Sequence, residues 1–467
     1  MLFSSIPFLY YFLPVVLLTY FAVPKAARNG VLVLASLVFY GCGGPAYLLL
    51  MAAAILVGYA GGLVIGSRRG KRGAKAALAA AVVILAGLLG YFKYADFFIA
   101  NFNAVTGLSL PLLGITLPIG ISFYTFQILS YCVDVYRGDT ASQKNLISFA
   151  AYVSMFPQLI AGPIVRYTDV AKELAQRTLS TDLAYEGVRR FLVGLSKKIL
   201  LANQLAELGD VFRASGEKSV LFYWLYAVSF TLYIYFDFSG YSDMAIGLGK
   251  ILGFHFPENF NYPYLSKSVT EFWRRWHMTL GGWFRDYVYI PLGGNRVGRG
   301  RWIFNIAVVW ALTGLWHGAA WNFVLWGVFF AVLLVAEKFF LAALWRKMPA
   351  AAAHTLVMVI LMISFVLFNA SNLTEAASDI AGMFGGMGVP LVTGETLYYL
   401  RSYAVVLILG ILGCTPLPIR CVQKLSAAVR AARVLRVLEP LWMLFLLLSC
   451  TAFLVDGSFN PFLYFRF

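Results

Sequence analysis

The chain has 467 residues, 61% of them hydrophobic and only 12% charged. Soluble domains carry roughly 25% charge, so this balance excludes a soluble globular protein and defines a polytopic helical membrane protein. The net charge of +16 comes from lysines and arginines scattered through short inter-helix loops, which suits anionic lipid and argues against nucleic acid as a partner.

In chain order, the first apolar run, 6–23, is long enough to span and is not followed by a small-residue cleavage site. It reads as a retained helix rather than a signal peptide. Lys25 and Arg28 come next. A run over 30–40, the Gly-Cys-Gly-Gly-Pro turn and a run over 46–65 lead to the densest basic loop, with Arg68, Arg69, Lys71, Arg72 and Lys75. The positive-inside rule puts both basic loops in the cytoplasm, and therefore the N-terminus and the turn outside. A span over 76–98 goes outward and one over 115–135 returns, with Arg137 and Lys144 at its end. In FPQLIAGPIVRY, residues 156–167, Pro157, Gly162 and Pro163 break any helix within a few residues. A broken element at membrane depth has to line a cavity, which predicts a tunnel wall.

Segment 182–213 spaces its apolar residues by three and four around Arg189, Arg190, Lys197 and Lys198. This predicts an amphipathic interfacial helix, too charged to span. Spans follow over 220–238 and 354–368. The last pair, 403–414 and 442–455, brackets a basic loop bearing Arg420, Lys424, Arg430, Arg433 and Arg436. His354, at the edge of its span, reads as a solvated end. Hydropathy and loop charge together predict an all-α protein of about 11 spans with re-entrant and interfacial pieces. It forms a single domain, 1–467, with a catalytic core over 115–335, and no internal repeat is visible.

Polar residues concentrate in the stretch 230–326. His317 lies in an apolar run, and a helix starting near Trp302 would carry its imidazole roughly 22 Å along the axis at about 1.5 Å per residue, close to mid-membrane. An ionisable group at that depth reads as a functional site. Gly314 and Gly318 flank it and would admit a narrow ligand or a second backbone. His277 sits in EFWRRWHMTLGGWFRDY, where Trp273, Trp276 and Trp283 alternate with Arg274, Arg275 and Arg285. That composition suits an interfacial or re-entrant element lining a polar cavity, its guanidinium groups available for phosphate or carboxylate. Asp237 and Asp243, in FDFSGYSDM, are expected to pair with those arginines. Asn259, Asn261 and Tyr262 read as turn residues, with hydrogen bonding to a donor as a secondary role. The five cysteines include no CxxC pair, so neither a metal nor a redox site is expected. No GxSxG, P-loop or GxGxxG motif occurs.

The segments FWRRWHMTLGGWFRDYVYIPLGGNR and GLWHGAAWNFVLWG resemble the membrane-bound O-acyltransferase (MBOAT) family, and within it the alginate O-acetyltransferase type. The likeness runs from the opening MLFSSIPFLYYFLPVVLL through FPQLIAGPIVRY to the closing NPFLYFRF. It implies a helical bundle around a central tunnel, embedded in the cell membrane. His317 is then the catalytic residue and His277 a second functional position; chemically, His317 is expected to act as general base, with acceptance of the acyl group by the imidazole itself left open. Donor contacts are expected from Arg274, Arg275, Trp276, Arg285, Trp316 and Asn322, with no metal and no tightly bound cofactor. The implied donor is acetyl-CoA on the cytoplasmic side. The acetyl group is passed outward to an extracytoplasmic partner protein that acetylates an exopolysaccharide such as alginate. Gly281 and Ala320 stand where relatives usually carry Ser. Two other outcomes stay open: D-alanyl or peptidoglycan O-acyl transfer by the same mechanism, and a secondary transporter with broken helices.

Overall fold

The computed structural model describes residues 1–427 and 429–457. The closing NPFLYFRF motif lies outside them, and the side chains of Arg430, Arg433 and Arg436 are likewise not described. Every regular element among the described residues is a helix. Six helices are long and apolar enough to cross a bilayer: Ala46–Ser67, Arg72–Thr106, Val220–Leu252, Trp321–Trp345, Ala350–Asn369 and Val437–Val455. Counting Gly394–Ser402 and Ala404–Gly413, bent by 56°, as one broken span gives seven. Other expected spans are short helices, among them Pro7–Ala22, Arg28–Gly41 and Ile121–Arg137.

Two compact units emerge, one of Met1–Phe191 with Ser242–Glu258 and the other of Leu192–Tyr241 with Asn259–Phe467. The expected core over 115–335 draws on both. In the first unit, the helices Ala46–Ser67 and Ile121–Arg137 approach where Gly58 faces Ile128 and Gly62 faces Tyr131. The proline-broken motif forms a single turn, Phe156–Leu159, followed by non-helical backbone that is buried through Val165. Some of its backbone groups are met from within the unit. The Tyr152 hydroxyl donates to the Val165 carbonyl at 3.3 Å, and the Phe156 N–H donates to Ser36 Oγ at 3.0 Å.

The span expected to end at residue 238 continues to Leu252, straight through FDFSGYSDM. It can do so because its small residues face another helix instead of lipid. A Cβ on Gly240 would lie 2.7 Å from the Gly194 carbonyl oxygen, and Cβ atoms on Gly187 and Gly247 would each lie 2.6 Å from the other's carbonyl oxygen. The partner is Thr181–Ser196, which runs on through a wider turn, Lys197–Ala202, into Asn203–Ala214. Here two expectations are corrected. Asp237 and Asp243 do make ion pairs, but not with Arg274, Arg275 or Arg285. Asp243 accepts from Arg190 at 2.9 Å, an arginine that also holds Glu258, and Asp237 forms an ion pair with Lys198, Oδ1 to Nζ 2.6 Å, with both side chains buried. The segment read as an amphipathic interfacial helix turns Lys198 inward, because a complementary carboxylate on the neighbouring helix offsets its desolvation.

Candidate active site

The apolar run holding His317 is not one helix. It breaks into Arg299–His317 and Trp321–Ala336, an antiparallel hairpin with His317 the last helical residue before the turn. A helix of that length places His317 about 27 Å from its start at 1.5 Å per residue. The flanking glycines admit a second backbone: Gly314 packs on the Phe323 carbonyl, Gly327 on the Trp310 carbonyl, and Gly318 on the Phe323 ring. This close seam fixes the hairpin tip. The His317 imidazole is half-buried, met nearly edge-on by Trp316, Trp326 and Phe368 at centroid distances of 5.1, 5.2 and 5.2 Å.

His277 lies between two short helices, Val269–Arg275 and Met278–Phe284, in a left-handed conformation, φ 44° and ψ 51°. A non-glycine residue holds such a conformation only when its surroundings over-determine it. They do so here. The Met278 N–H donates to the Asn259 carbonyl and the Asn261 N–H to the Arg275 carbonyl, both at 2.9 Å, which straps the 259–261 loop across the turn. Asn259 Oδ1 accepts from the backbone N–H of Thr279 at 3.3 Å and from its hydroxyl at 2.9 Å, so the atom facing His277 Nδ1 at 3.1 Å is an acceptor. Nδ1 therefore carries the proton, and Nε2 presents a lone pair. Nε2 is buried and has no hydrogen-bond partner among the described residues. Burial holds the His277 pKa well below the ordinary imidazole range, and the charge of neighbouring His317 lowers it further. A neutral, oriented base results.

Phe238 meets the His277 ring edge-on at 4.7 Å, and Trp316 lies 5.9 Å from His277 and 5.1 Å from His317. The two histidines thus share an aromatic enclosure in the second unit. Among the other expected site residues, Trp316 belongs to it. Trp276 packs instead among Tyr235, Phe260, Tyr264 and Phe272. Arg275 pairs with Glu271 at 2.8 Å, Arg285 pairs with Asp286 at 2.7 Å, and Arg274 is exposed. Asn322 is buried and donates to the backbone carbonyls of Phe368 and Ala370. His354 is half-buried, its Nδ1 3.2 Å from the Ser266 carbonyl. Sequence reasoning passed over Asn259 as a turn residue and did not single out Phe238, Trp326 or Phe368. Trp326 lay in the motif around His317 and Phe238 in FDFSGYSDM, whereas Phe368 lay in neither. No group of three His, Cys, Asp or Glu side chains suited to a metal occurs among the described residues.

Among the described residues the chain is all helix, with six or seven helices able to cross a membrane, and it encloses two imidazoles in aromatic rings, an arrangement able to hold acid–base chemistry in a membrane protein. Residues 140–376 match the model of MBOAT, the membrane-bound O-acyltransferase family. The chain is 43% identical over 389 residues to the probable alginate O-acetylase AlgI of Azotobacter vinelandii, covering 82% of this chain and 78% of that one. It is 34% identical over 428 residues to a peptidoglycan O-acetyltransferase of Helicobacter pylori, covering 84% and 81%. With a teichoic acid D-alanyltransferase of Bacillus subtilis the identity is 30% over 267 residues, covering 54% and 67%. The chain belongs to the membrane-bound O-acyltransferase family, and it is an O-acyltransferase.

Proposed function

We propose that this protein moves an acetyl group from a cytoplasmic thioester, acetyl-CoA, across the cell membrane for O-acetylation of an exopolysaccharide such as alginate. The observation that carries the reading is the enclosure shared by His277 and His317, in which one imidazole is oriented, neutral and unpaired at Nε2. The alginate-type relatives, matched over most of both chains, favour acetyl as the group and an exported polysaccharide as the destination.

His317 acts as general base. It takes the proton of an attacking hydroxyl as that oxygen bonds to the thioester carbonyl. When the carbon–sulfur bond breaks, the imidazolium returns the proton to the departing thiolate. Such a base contributes about 10²–10⁴-fold in rate. The thioester is already activated, so one base and accurate placement suffice. His277 offers its Nε2 lone pair to a donor N–H or hydroxyl beside the reacting carbonyl, which places the substrate without adding charge to the enclosure. The attacking hydroxyl belongs to the partner protein at the outer side, which carries the new acetyl ester away and modifies the polymer.

A deletion strain complemented with His317→Ala should export polymer without acetyl groups while the variant accumulates in the membrane at the normal level. Wild-type acetyl content from that strain would end the assignment.

A further inference from the structure

We infer that Asn322 is a positioning residue of this acyl transfer, acting on His317 through Phe368. The inference rests on the role proposed above for His317.

The last carbonyls of a helix lack intrahelical partners, and buried ones need a donor from elsewhere. Ala350–Asn369 ends beside the hairpin turn, with Phe368 and Ala370 buried. Asn322, in the first turn of Trp321–Ala336, supplies both donors. Its Nδ2 donates to the Phe368 carbonyl at 3.3 Å and to the Ala370 carbonyl at 2.9 Å. A side-chain amide has two N–H groups, and both are used. The amide is thereby committed to the chain and has no N–H left for an acyl donor.

The intervening residue is tied from the other side. Asn369 Nδ2 donates to the Tyr226 hydroxyl at 2.7 Å, and that oxygen also accepts from Arg213 Nη2 at 2.8 Å. Arg213 is itself held by Asp379 and Glu375, at 2.6 and 2.8 Å. The 368–370 corner is therefore pinned at three successive residues, with Phe368 in the middle of the packing. Its ring lies 5.2 Å from His317, 5.1 Å from Trp326 and 5.0 Å from Phe323. Of the three rings around the imidazole, Trp316 and Trp326 belong to the hairpin that carries it. Phe368 comes from another helix, and Asn322 supplies the side-chain hydrogen bonds that tie that helix end to the hairpin. Without the tie, the ring that closes the third side of His317 is free to withdraw and the imidazole to rotate with it. A base displaced by about 1 Å loses on the order of 10² in rate while the substrate still binds.

The test uses membranes from producing cells, which supply partner and acceptor, with each variant as the sole copy and acetyl-CoA labelled in the acetyl group as probe. Asn322→Ala should lower kcat by about 10- to 100-fold and leave the KM for acetyl-CoA within about 3-fold. Phe368→Ala should do the same. The Asn322→Ala/Phe368→Ala double variant should be no more than about 3-fold slower than the slower single one, since the two act as a unit. Multiplying losses, or a KM rise with kcat unchanged, would overturn the inference. If Asn322→Ala does not accumulate, Phe368→Ala decides alone: wild-type kcat refutes the role and a kcat loss at constant KM supports it. His317→Ala runs alongside. Activity in that variant counts against the proposed function, whereas an inactive His317→Ala with a fully active Asn322→Ala counts against this inference only.

Discussion

Gly314 tests the hairpin seam, because a single methyl group there sets two effects of opposite sign against each other. Alanine is favoured over glycine inside a helix by roughly 0.5–1 kcal/mol. At Gly314, however, the new carbon would sit about 1 Å inside ordinary contact distance of the Phe323 carbonyl oxygen, and that oxygen is backbone, unable to swing away. Overpacking of this kind costs typically about 1–3 kcal/mol, so the clash wins and Gly314→Ala is expected to be net destabilising by roughly 0.5–2 kcal/mol. Gly300 lies on the same helix with nothing within 4 Å of an added Cβ. Gly300→Ala should therefore be neutral or stabilising. Relief of the clash has to part the hairpin by a fraction of an ångström to 1 Å, three residues from His317, so turnover should fall by on the order of 10². Thermal unfolding in nanodiscs and acetyl release from labelled acetyl-CoA in membranes measure the two effects. Gly314→Ala with the stability and turnover of Gly300→Ala would refute the close seam.

The buried Lys198–Asp237 pair should show the asymmetry of an ion pair shielded from water. Lys198→Met alone should cost about 3–5 kcal/mol, and Lys198→Met with Asp237→Leu should recover most of it in thermal unfolding; a double variant as unstable as the single one would count against pairing. His277 predicts a pH dependence. Its folded-state pKa lies below the unfolded value, so below about pH 6.5 the unfolded chain binds a proton that the folded one refuses. Stability should then decline by up to about 1.4 kcal/mol per pH unit as pH falls, until the folded pKa is reached. His277→Gln should flatten that decline; an unchanged slope would assign it to other groups. Finally, single cysteines placed between Arg68 and Lys75 in a cysteine-free background should resist an impermeant thiol reagent in intact cells and react in inverted membranes. Labelling from outside would reverse the topology.

Class and helical content were legible in the sequence, since composition and the length of apolar runs are local signals. The break after His317 was less so. Gly318, Ala319 and Ala320 carry no proline and no charge, and hydropathy reads through them, although the chain turns back there. Partner choice was not legible at all. Asp237 and Asp243 lie within 50 residues of three arginines, yet they pair with Lys198 and Arg190 on the preceding helix, a selection made by the register of two long helices. Asn259 shows the same limit. It sits in a segment rich in turn-forming residues, and only the strap to 275–278 reveals that its oxygen sets the tautomer of a histidine 18 positions later. Phe368 ends an ordinary apolar helix and carries no mark of the imidazole it faces.

The antiparallel seam between Thr181–Ser196, continued through Lys197–Ala202, and Val220–Leu252 bears on how the chain enters the membrane. Its glycines and ion pairs alternate along one line, Gly187 with Gly247, Arg190 with Asp243, Gly194 with Gly240, and Lys198 with Asp237. A lone lysine at the centre of an inserting helix is disfavoured by about 2.5–3.5 kcal/mol, and an aspartate by a similar amount. Lys198 and Asp237 each burden burial of their own helix, whereas as a pair they offset one another. Only the second helix is apolar enough to cross a membrane, so the Lys198–Asp237 pair has to form as Val220–Leu252 takes up its place beside the first. A slip of one turn in their register would part Lys198 from Asp237 and Arg190 from Asp243, so the same pairs that burden the two helices also single out one way to join them.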